Sequence, residues 1–398
     1  MKDRLLWSMI HRLLRPTKNT SFFIFGARGT GKSTFVLMQL MSQINESYLY
    51  YDLLDDDIEE RFAKSPSLLH ADIEGSKNRP KWVIIDEVQK VPRLLDVIQS
   101  LIVNKKIKFI LTGSSARKLK LDGANLLAGR AFDYRLFPFS FFELDDQFDL
   151  KSALQFGMLP ATFEFQERSD KIKYLKSYVS TYVKTEIQME QLVRKLPPFR
   201  SFLEIAAQMN GKPLNFSKIA REVGVDTKTI LAYFQILEDT FLGFFVPGFH
   251  TSLRKSILIA PKFYFFDVGV KRALEQSLQS EVIAGTSYYG ETFEHLVMVE
   301  IMKLNHYSGK DYSISYFSTK EGAEVDVVLS RGKRETIFIE IKSARKVDPI
   351  EVRKLAQLTR GTTIKVYFLS QDHNAQSFYD IRCLFWSEAL KEIFLSAE

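Results

Sequence analysis

The chain has a single cysteine, Cys383, among its 398 residues. One thiol excludes an internal disulfide framework and a thiolate zinc site, and the expectation is a reducing, cytoplasmic setting. Also missing is any apolar run long enough to span a bilayer. The opening stretch MKDRLLWSMIHRLLRP places Leu5, Leu6, Met9, Leu13 and Leu14 at helical spacing. Asp3, Arg4, His11 and Arg12 interrupt it too early for a signal-peptide core. A short amphipathic helix packed beside the first strand is expected there, not a presequence. What the chain does have is 33 phenylalanines, 45% apolar and 26% charged residues, enough for two or three globular domains. A net charge of +7 is compatible with nucleic acid without pointing to it.

The most informative stretch is SFFIFGARGTGKSTFVLMQL, residues 21–40. A short apolar run precedes Gly26-Ala27-Arg28-Gly29-Thr30-Gly31-Lys32-Ser33-Thr34, and a helical pattern follows it. Strand, Gly-x4-Gly-Lys-Ser loop and helix form the phosphate loop of nucleotide-binding proteins. Glycines let successive backbone N–H groups curl around a phosphate, and the helix start adds its positive end. Lys32 is expected to reach the β- and γ-phosphates of ATP, and Ser33 to hold Mg²⁺.

Tyr48–Leu53 reads as a second strand. Lys81-Trp-Val-Ile-Ile-Asp86-Glu87-Val-Gln then ends an apolar run in two carboxylates, a Walker B pattern. Asp86 is expected on Mg²⁺ and Glu87 on the attacking water. A helix over Leu94–Val103 leads to Ile107-Lys-Phe-Ile-Leu-Thr112-Gly-Ser114-Ser115, a third buried strand with small hydroxyl residues at its end. Thr112, Ser114 or Ser115 is a candidate γ-phosphate sensor, and each is equally a reasonable turn residue. Arg130, in Leu126-Leu-Ala-Gly129-Arg130-Ala, reads either as a phosphate sensor or as a surface arginine. Phe137–Phe142 is core or an exposed docking patch, with core expected.

Residues 21–145 resemble an AAA+-type P-loop ATPase. They are similar in particular to a bacterial and archaeal group with IIDEVQ at Walker B, LTGSS at the sensor strand and GRA…L.P.SF.E beyond it. Those features stand here as Ile84–Gln89, Leu111–Ser115 and Gly129–Glu143. The resemblance implies a DNA-binding-like middle and a nuclease-like C-terminal domain.

The middle fits that implication. Gly157-Met-Leu-Pro160 is a loop signal, and Lys171–Val193 reads as a helix with a stripe of Tyr174, Leu175, Tyr178, Tyr182, Ile187 and Leu192. Helices over Phe199–Met209, Lys218–Val223 and from Asp226 or Thr227 to Asp239, with a turn at Gly224, suggest a helix-turn-helix. Phe241–Phe249 then reads as a wing. Lys228, Thr229 and Tyr233 would lie near DNA, or the module serves as a protein contact or packing unit.

Farther on, Pro261–Val270 reads as a buried strand, and a long helix opens near Gly290 carrying Glu294. Strands over Tyr312–Phe317, into Glu321-Gly-Ala-Glu324-Val-Asp326, and over Ile337-Phe-Ile-Glu340-Ile-Lys342 follow. Glu294, Asp326 and Glu340-x-Lys342 resemble the spaced set of PD-(D/E)xK nucleases. Glu340 and Lys342 leave one face of a strand. The three carboxylates are expected to bind Mg²⁺ and Lys342 to orient water. The competing reading is a salt-bridged scaffold that does not cut. Arg345, Lys346, Arg353 and Lys354 read as a basic helix edge. Thr363–Ser370 reads as a last core strand and Glu388–Ser396 as a terminal helix.

The expected fold class is α/β: a P-loop NTPase (AAA+-like) parallel sheet, then a helical and winged-helix region, then a restriction-endonuclease-like α/β domain. The expected boundaries are 1–150, 151–198 (helical lid or connector), 199–260 and 261–398. The expected partners are ATP and DNA, with a protein partner and a homo-oligomer left open. The rival reading is a regulatory ATP switch that binds a protein and cuts nothing.

Overall fold

The computed structural model describes residues 10–115, 127, 129–183, 196–250, 256–319, 322–332, 335–360 and 364–396. Leu5, Leu6, Met9, Leu126, Ile187, Leu192, Glu321 and Thr363 of the sequence reading lie outside them. The chain forms two compact units, one of residues 1–139, 159–165 and 236–242, the other of residues 140–158, 166–235 and 243–398.

The first unit holds a five-stranded sheet: β1 Ser21–Phe25, β2 Tyr48–Asp52, β3 Trp82–Asp86, β4 Lys108–Gly113 and β5 Ala131–Arg135. The spatial order is β2-β3-β4-β1-β5 and every pairing is parallel. A parallel sheet is covered on both faces, so its central strands read as unbroken apolar runs. All five residues of β1 and of β3 are buried. The core behind the sheet gathers Phe23, Val83, Ile98 and Phe109. Because β4 lies between β1 and β3, the phosphate-loop glycines, the Ser/Thr end of β4 and Asp86-Glu87 come to one edge.

Residues 10–20 carry no helix, and residues 1–9 of the expected one lie outside the described residues. Arg12 does the anchoring instead. It is buried, donates to Thr30 O at 2.9 Å and to Phe137 O, and lies over the Phe139 ring. That fixes the last turn of the phosphate loop from behind.

In the second unit, helices Leu196–Gln208, Phe216–Val223 and Thr227–Asp239 are followed by a two-stranded antiparallel pair, β6 Gly243–Val246 and β7 Lys262–Phe265. The end of the third helix, from Ile236, groups with the first unit. Asn215 and Asp226 cap the second and third helices, accepting from Lys218 N at 2.9 Å and Thr229 N at 2.8 Å. Gly224, at φ 77°, makes the intervening turn that a Cβ would strain. Phe202, Phe234 and Phe263 form the aromatic centre. Tyr233, expected near DNA, is buried against Phe199 and Phe202. The boundary expected at 260/261 runs through the β6–β7 pair.

Beyond it, the long helix Ser287–Ser308 precedes a mixed sheet of β8 Ser313–Ser318, β9 Glu324–Arg331, β10 Glu335–Ile341, β11 Lys365–Ser370, β12 Gln376–Phe378 and β13 Ile381–Phe385. The order is β12-β13-β11-β10-β9-β8, with β10, β11 and β13 mutually parallel. Helix Pro349–Leu358 joins β10 to β11, and Cys383 is a core residue. Arg345 and Lys346 precede that helix, so only Arg353 and Lys354 of the expected basic edge are helical.

The SF.E portion of the sequence signature is a capping box. Ser140 caps helix Phe141–Leu144 together with Glu143. Ser140 Oγ also donates to Glu300 Oε2 at 2.6 Å, and Phe141 N to the same oxygen at 3.1 Å. No helix among the described residues is long and apolar enough to cross a membrane.

Candidate functional site

Three features shape the phosphate loop. Gly29 and Gly31 sit at φ 77° and 88°, where a Cβ is disfavoured. A Cβ on Gly26 would meet Leu136 O at 2.2 Å. The helix that follows, residues 32–44, contains a π-helical stretch, Phe35–Leu40, a distortion common near functional sites. Thr30 Oγ1 donates to Ala27 O at 2.9 Å, and Lys32 Nζ to Gly26 O at 2.9 Å and Ala27 O at 3.3 Å. Arg28 and Gly29 are exposed at the loop tip, and Thr34 lies in the first helical turn.

Across the edge, Asp86 is buried and accepts three hydroxyl hydrogen bonds: from Ser33, from Thr112, and from Tyr50 at 3.2 Å. A hydroxyl beside a carboxylate is the hard oxygen donor set that Mg²⁺ prefers, so Ser33 and Asp86 fit the ion. Burial, then Asp86 and Asp52, push the Tyr50 phenol well up, so it stays a donor.

Glu87 sits beside them at φ 58°, ψ 47°, a left-handed conformation uncommon for a non-glycine residue. Its Oε2 accepts from Gln89 Nε2, from Ser114 Oγ at 2.8 Å and from Ser114 N at 3.3 Å. Gln89 Nε2 also donates to Ser114 Oγ at 3.0 Å. The second oxygen, Oε1, is 3.8 Å from Lys32 Nζ. Burial alone would raise the Glu87 carboxyl. The Lys32 charge and the hydrogen bonds from Gln89 and Ser114 outweigh it and hold the group below the ordinary value. Of the three sensor candidates, Ser114 meets Glu87, Thr112 meets Asp86, and Ser115 is buried next to them. Arg130 stands in the turn before β5, where its carbonyl accepts from Thr20 Oγ1 at 3.3 Å. Tyr50 and Gln89 were not singled out in the sequence. Gln89 was visible as the last letter of IIDEVQ; Tyr50 gains meaning only from lying on the strand next to β3.

The second constellation lies in the other unit. Ile339 pairs with Val327 across β10 and β9, so Glu340 and Asp326 fall opposite each other one step on. Asp326 Oδ2 accepts from Ile341 N at 2.8 Å, and Lys342 is ion-paired to Glu340. Glu294 accepts from Tyr264 OH at 2.7 Å. Lys262, two residues before Tyr264 and on the same strand face, is buried and paired with Glu324.

These groups feel one another. Burial, then the Asp326 charge, pushes Glu294 up to about 7 and Glu340 up to about 8. Burial likewise raises Asp326. Lys262 and Lys342 are held charged by the surrounding carboxylates despite burial. Two cations thus serve four acids and do not neutralise them all. Glu340 Oε2 is buried with no partner among the described residues. Still, no three His, Cys, Asp or Glu side chains among the described residues are gathered closely enough to hold a metal ion. The expected ligands are each held by a different partner: Glu294 by Tyr264, Asp326 by the Ile341 amide and Glu340 by Lys342. Glu324, Glu340, Lys342 and Lys354 line a cavity of about 240 Å³. Lys262, Tyr264 and Glu324 are the members that sequence reasoning passed over; the alternation Lys262-x-Tyr264 was the available signal.

Comparisons with known proteins bear on the first site. Residues 18–145 match the model of an AAA domain. The five-stranded parallel sheet with its phosphate loop agrees with that family's P-loop NTPase fold. Residues 147–281 and 289–385 match two domains of unknown function, DUF8612 and DUF4143. An uncharacterised Haemophilus influenzae protein is 22% identical over 351 residues, covering 81% of this chain and 83% of its own. An uncharacterised Methanocaldococcus jannaschii protein is 24% identical, covering 86% and 79%. Among solved structures, the Aeropyrum pernix ORC1 protein in complex with DNA is 14% identical, covering 70% of this chain and 91% of its own, with a TM-score of 0.32. The Thermotoga maritima RuvB Holliday junction branch migration motor is 16% identical, covering 56% and 81%, with a TM-score of 0.29.

Proposed function

We propose that the chain binds ATP with Mg²⁺ in the AAA domain and hydrolyses it. The observation that carries this is the convergence of Ser33, Asp86 and Glu87 at the mouth of the Gly26–Gly31 loop. In this reading the backbone of residues 26–31, with Lys32 and Thr34, cradles the phosphates, and Ser33 and Asp86 hold Mg²⁺. Bound there, Mg²⁺ would supply charge neutralisation to the phosphates. Glu87 polarises the attacking water, and Ser114 with Gln89 keeps its carboxylate in place. Arg130 is a candidate for a phosphate contact. Calorimetry with Mg²⁺ and ATP tests the proposal. Lys32→Ala is expected to abolish the binding heat, and Glu87→Gln to bind ATP yet not turn it over. Wild-type protein that shows no heat sinks the reading, and undiminished turnover in Glu87→Gln removes that residue from the mechanism.

The unpartnered Glu340 oxygen and the carboxyls around it favour a second role for the other unit, action on DNA in which a bound cation would have to draw Glu294, Asp326 and Glu340 closer together than they stand. Here the helices of residues 196–239 with the β6–β7 pair act as a winged helix. Glu294, Asp326, Glu340 and Lys342 act as a PD-(D/E)xK set on a restriction-endonuclease-like sheet. Division into an ATPase core, a connector, a winged helix and a nuclease-like domain belongs to the same proposal. Plasmid nicking with Mg²⁺ or Mn²⁺ is expected in the wild type and not in Asp326→Ala or Lys342→Ala. If no nucleic acid is cut, the ATP switch with a silent nuclease-like domain and a protein partner stands in its place.

A further inference from the structure

Helix Pro349–Leu358 has a hollow on each flank. One is the cavity of Glu340 and Lys342, which Glu351 and Lys354 help to line. The other, about 520 Å³, lies between the helix and the β11–β13 end of the sheet. Its rim carries Arg353, Gln357 and Arg360, spaced i, i+4, i+7 along the helix and its end, and Tyr379 with the carboxylate of Asp380, so the two cations face one anion. Its floor is apolar, formed by Ile364, Val366 and Ile381.

Two features set this hollow apart from an ordinary surface dent. Arg353 and Arg360 are exposed and make no hydrogen bond or ion pair among the described residues. Two arginines with unspent donors among the described residues therefore line one space. Tyr379 is 62% exposed and sits with Asp380 in the two-residue turn between β12 and β13, at φ 54° and 65°. Such a turn ordinarily takes Asn-Gly. Here a large ring occupies the strained position and is displayed at the rim, and strain of this kind collects at functional sites.

We infer that this hollow holds a single-stranded nucleic acid, with a base stacked against Tyr379 over the apolar floor and flanking phosphates on Arg353 and Arg360. An aromatic face with guanidiniums beside it is the chemistry that grips unpaired bases without reading their sequence. The strand crosses the helix toward Lys354 and Lys342. A helix is about 10–12 Å across, so a strand lying over it passes from one hollow to the other. The hollow would thus deliver a strand to the carboxylate site. The inference deepens the nucleic-acid role proposed above and rests on it for that delivery, though binding itself needs neither ATP nor cleavage.

The test is fluorescence anisotropy of the full chain with labelled oligo(dT) in EDTA, across a salt series. Tyr379→Asn, which removes the ring but suits positive φ, is expected to weaken binding by at least about fivefold. Tyr379→Phe is expected to bind like wild type. Arg353→Ala with Arg360→Ala is expected to flatten the log–log salt slope by about 1.4, or 0.7 for each lost phosphate contact. Wild-type affinity and slope in all these variants would place the strand elsewhere and overturn the inference. So would a wild type that fails to bind at low salt, or an acidic peptide that displaces the oligonucleotide equally well with and without the ring. A wild type that binds the oligonucleotide yet cuts no nucleic acid with Mg²⁺ or Mn²⁺ would instead sink the catalytic reading of Asp326 and Lys342 and leave this one standing.

Discussion

Glu87 receives three hydrogen bonds on one oxygen, and Gln89 supplies one of them while also tying down Ser114. Neither role is catalytic in itself, since Gln89 acts through its neighbour. A buried charge-assisted hydrogen bond is worth about 1.5–3 kcal/mol, and misplacing a reacting group by about 1 Å can cost about a hundredfold in rate. Gln89→Ala should therefore lower kcat for ATP about ten- to hundredfold and leave KM within about twofold. Gln89→Glu, which cannot donate, should fail to rescue it. A raised KM at unchanged kcat would move Gln89 from positioning water chemistry to binding nucleotide. Glu340 makes a different prediction. Its folded value of about 8 lies above its reference value of 4.5. The folded protein thus keeps a proton that the unfolded chain has released. The associated stability is present below the unfolded value and is lost as pH rises through about 8. Thermal midpoints measured from pH 5.5 to 8.5 should fall more steeply in the wild type than in Glu340→Gln, whatever the absolute offset from the broken Lys342 pair. Parallel curves would show that Glu340 is ionised throughout.

At the scale of elements, helix Ser287–Ser308 does more than carry Glu294. Its Glu300 accepts from the Ser140 hydroxyl and the Phe141 amide and pairs with buried Lys303 at 2.8 Å. Removing one partner of a buried ion pair costs about 3–5 kcal/mol, so Glu300→Ala should lower stability by about that much in denaturant titration. Glu300→Gln keeps an acceptor for Ser140 and should cost less. Elements legible in the sequence share one trait: their signals are local. Strand β1, its loop and its helix announce themselves in twenty residues, and the carboxylates of β3 stand at the end of an apolar run. Strand β5 was not anticipated, because AFDYR has no apolar run and pairs with Ser21–Phe25, more than a hundred residues away. The β12–β13 hairpin escaped notice because β12 is three residues long and its turn lacks the usual glycine. Tyr233 was misread although the pattern was present: Ile230, Tyr233, Phe234 and Leu237 have core spacing, and all four are buried. Sites followed the same rule. Glu294, Asp326, Glu340 and Lys342 could be found from their order, whereas Lys262 offered only its alternation with Tyr264, and the Lys262–Glu324 ion pair joins side chains 62 residues apart.

For the whole molecule the question is whether its two compact units exchange free energy. Any coupling is reciprocal: if ATP changes nucleic-acid affinity by some factor, nucleic acid must change ATP affinity by the same factor. Two units also make two unfolding transitions the natural expectation, each responding to its own ligand. ATP at a hundred times its dissociation constant should stabilise the nucleotide-binding unit by about 2.7 kcal/mol. If the units act independently, only that transition moves, and oligonucleotide binding is the same with and without ATP. If they are coupled, as an ATP-controlled nucleic-acid protein requires, both transitions move and the two affinity ratios agree. Lys32→Ala should then erase the ATP effect on oligonucleotide binding while leaving binding without ATP unchanged. Titrating each ligand at saturating levels of the other decides between the cases. A response to ATP that persists in Lys32→Ala would show that the nucleotide acts somewhere other than the phosphate loop.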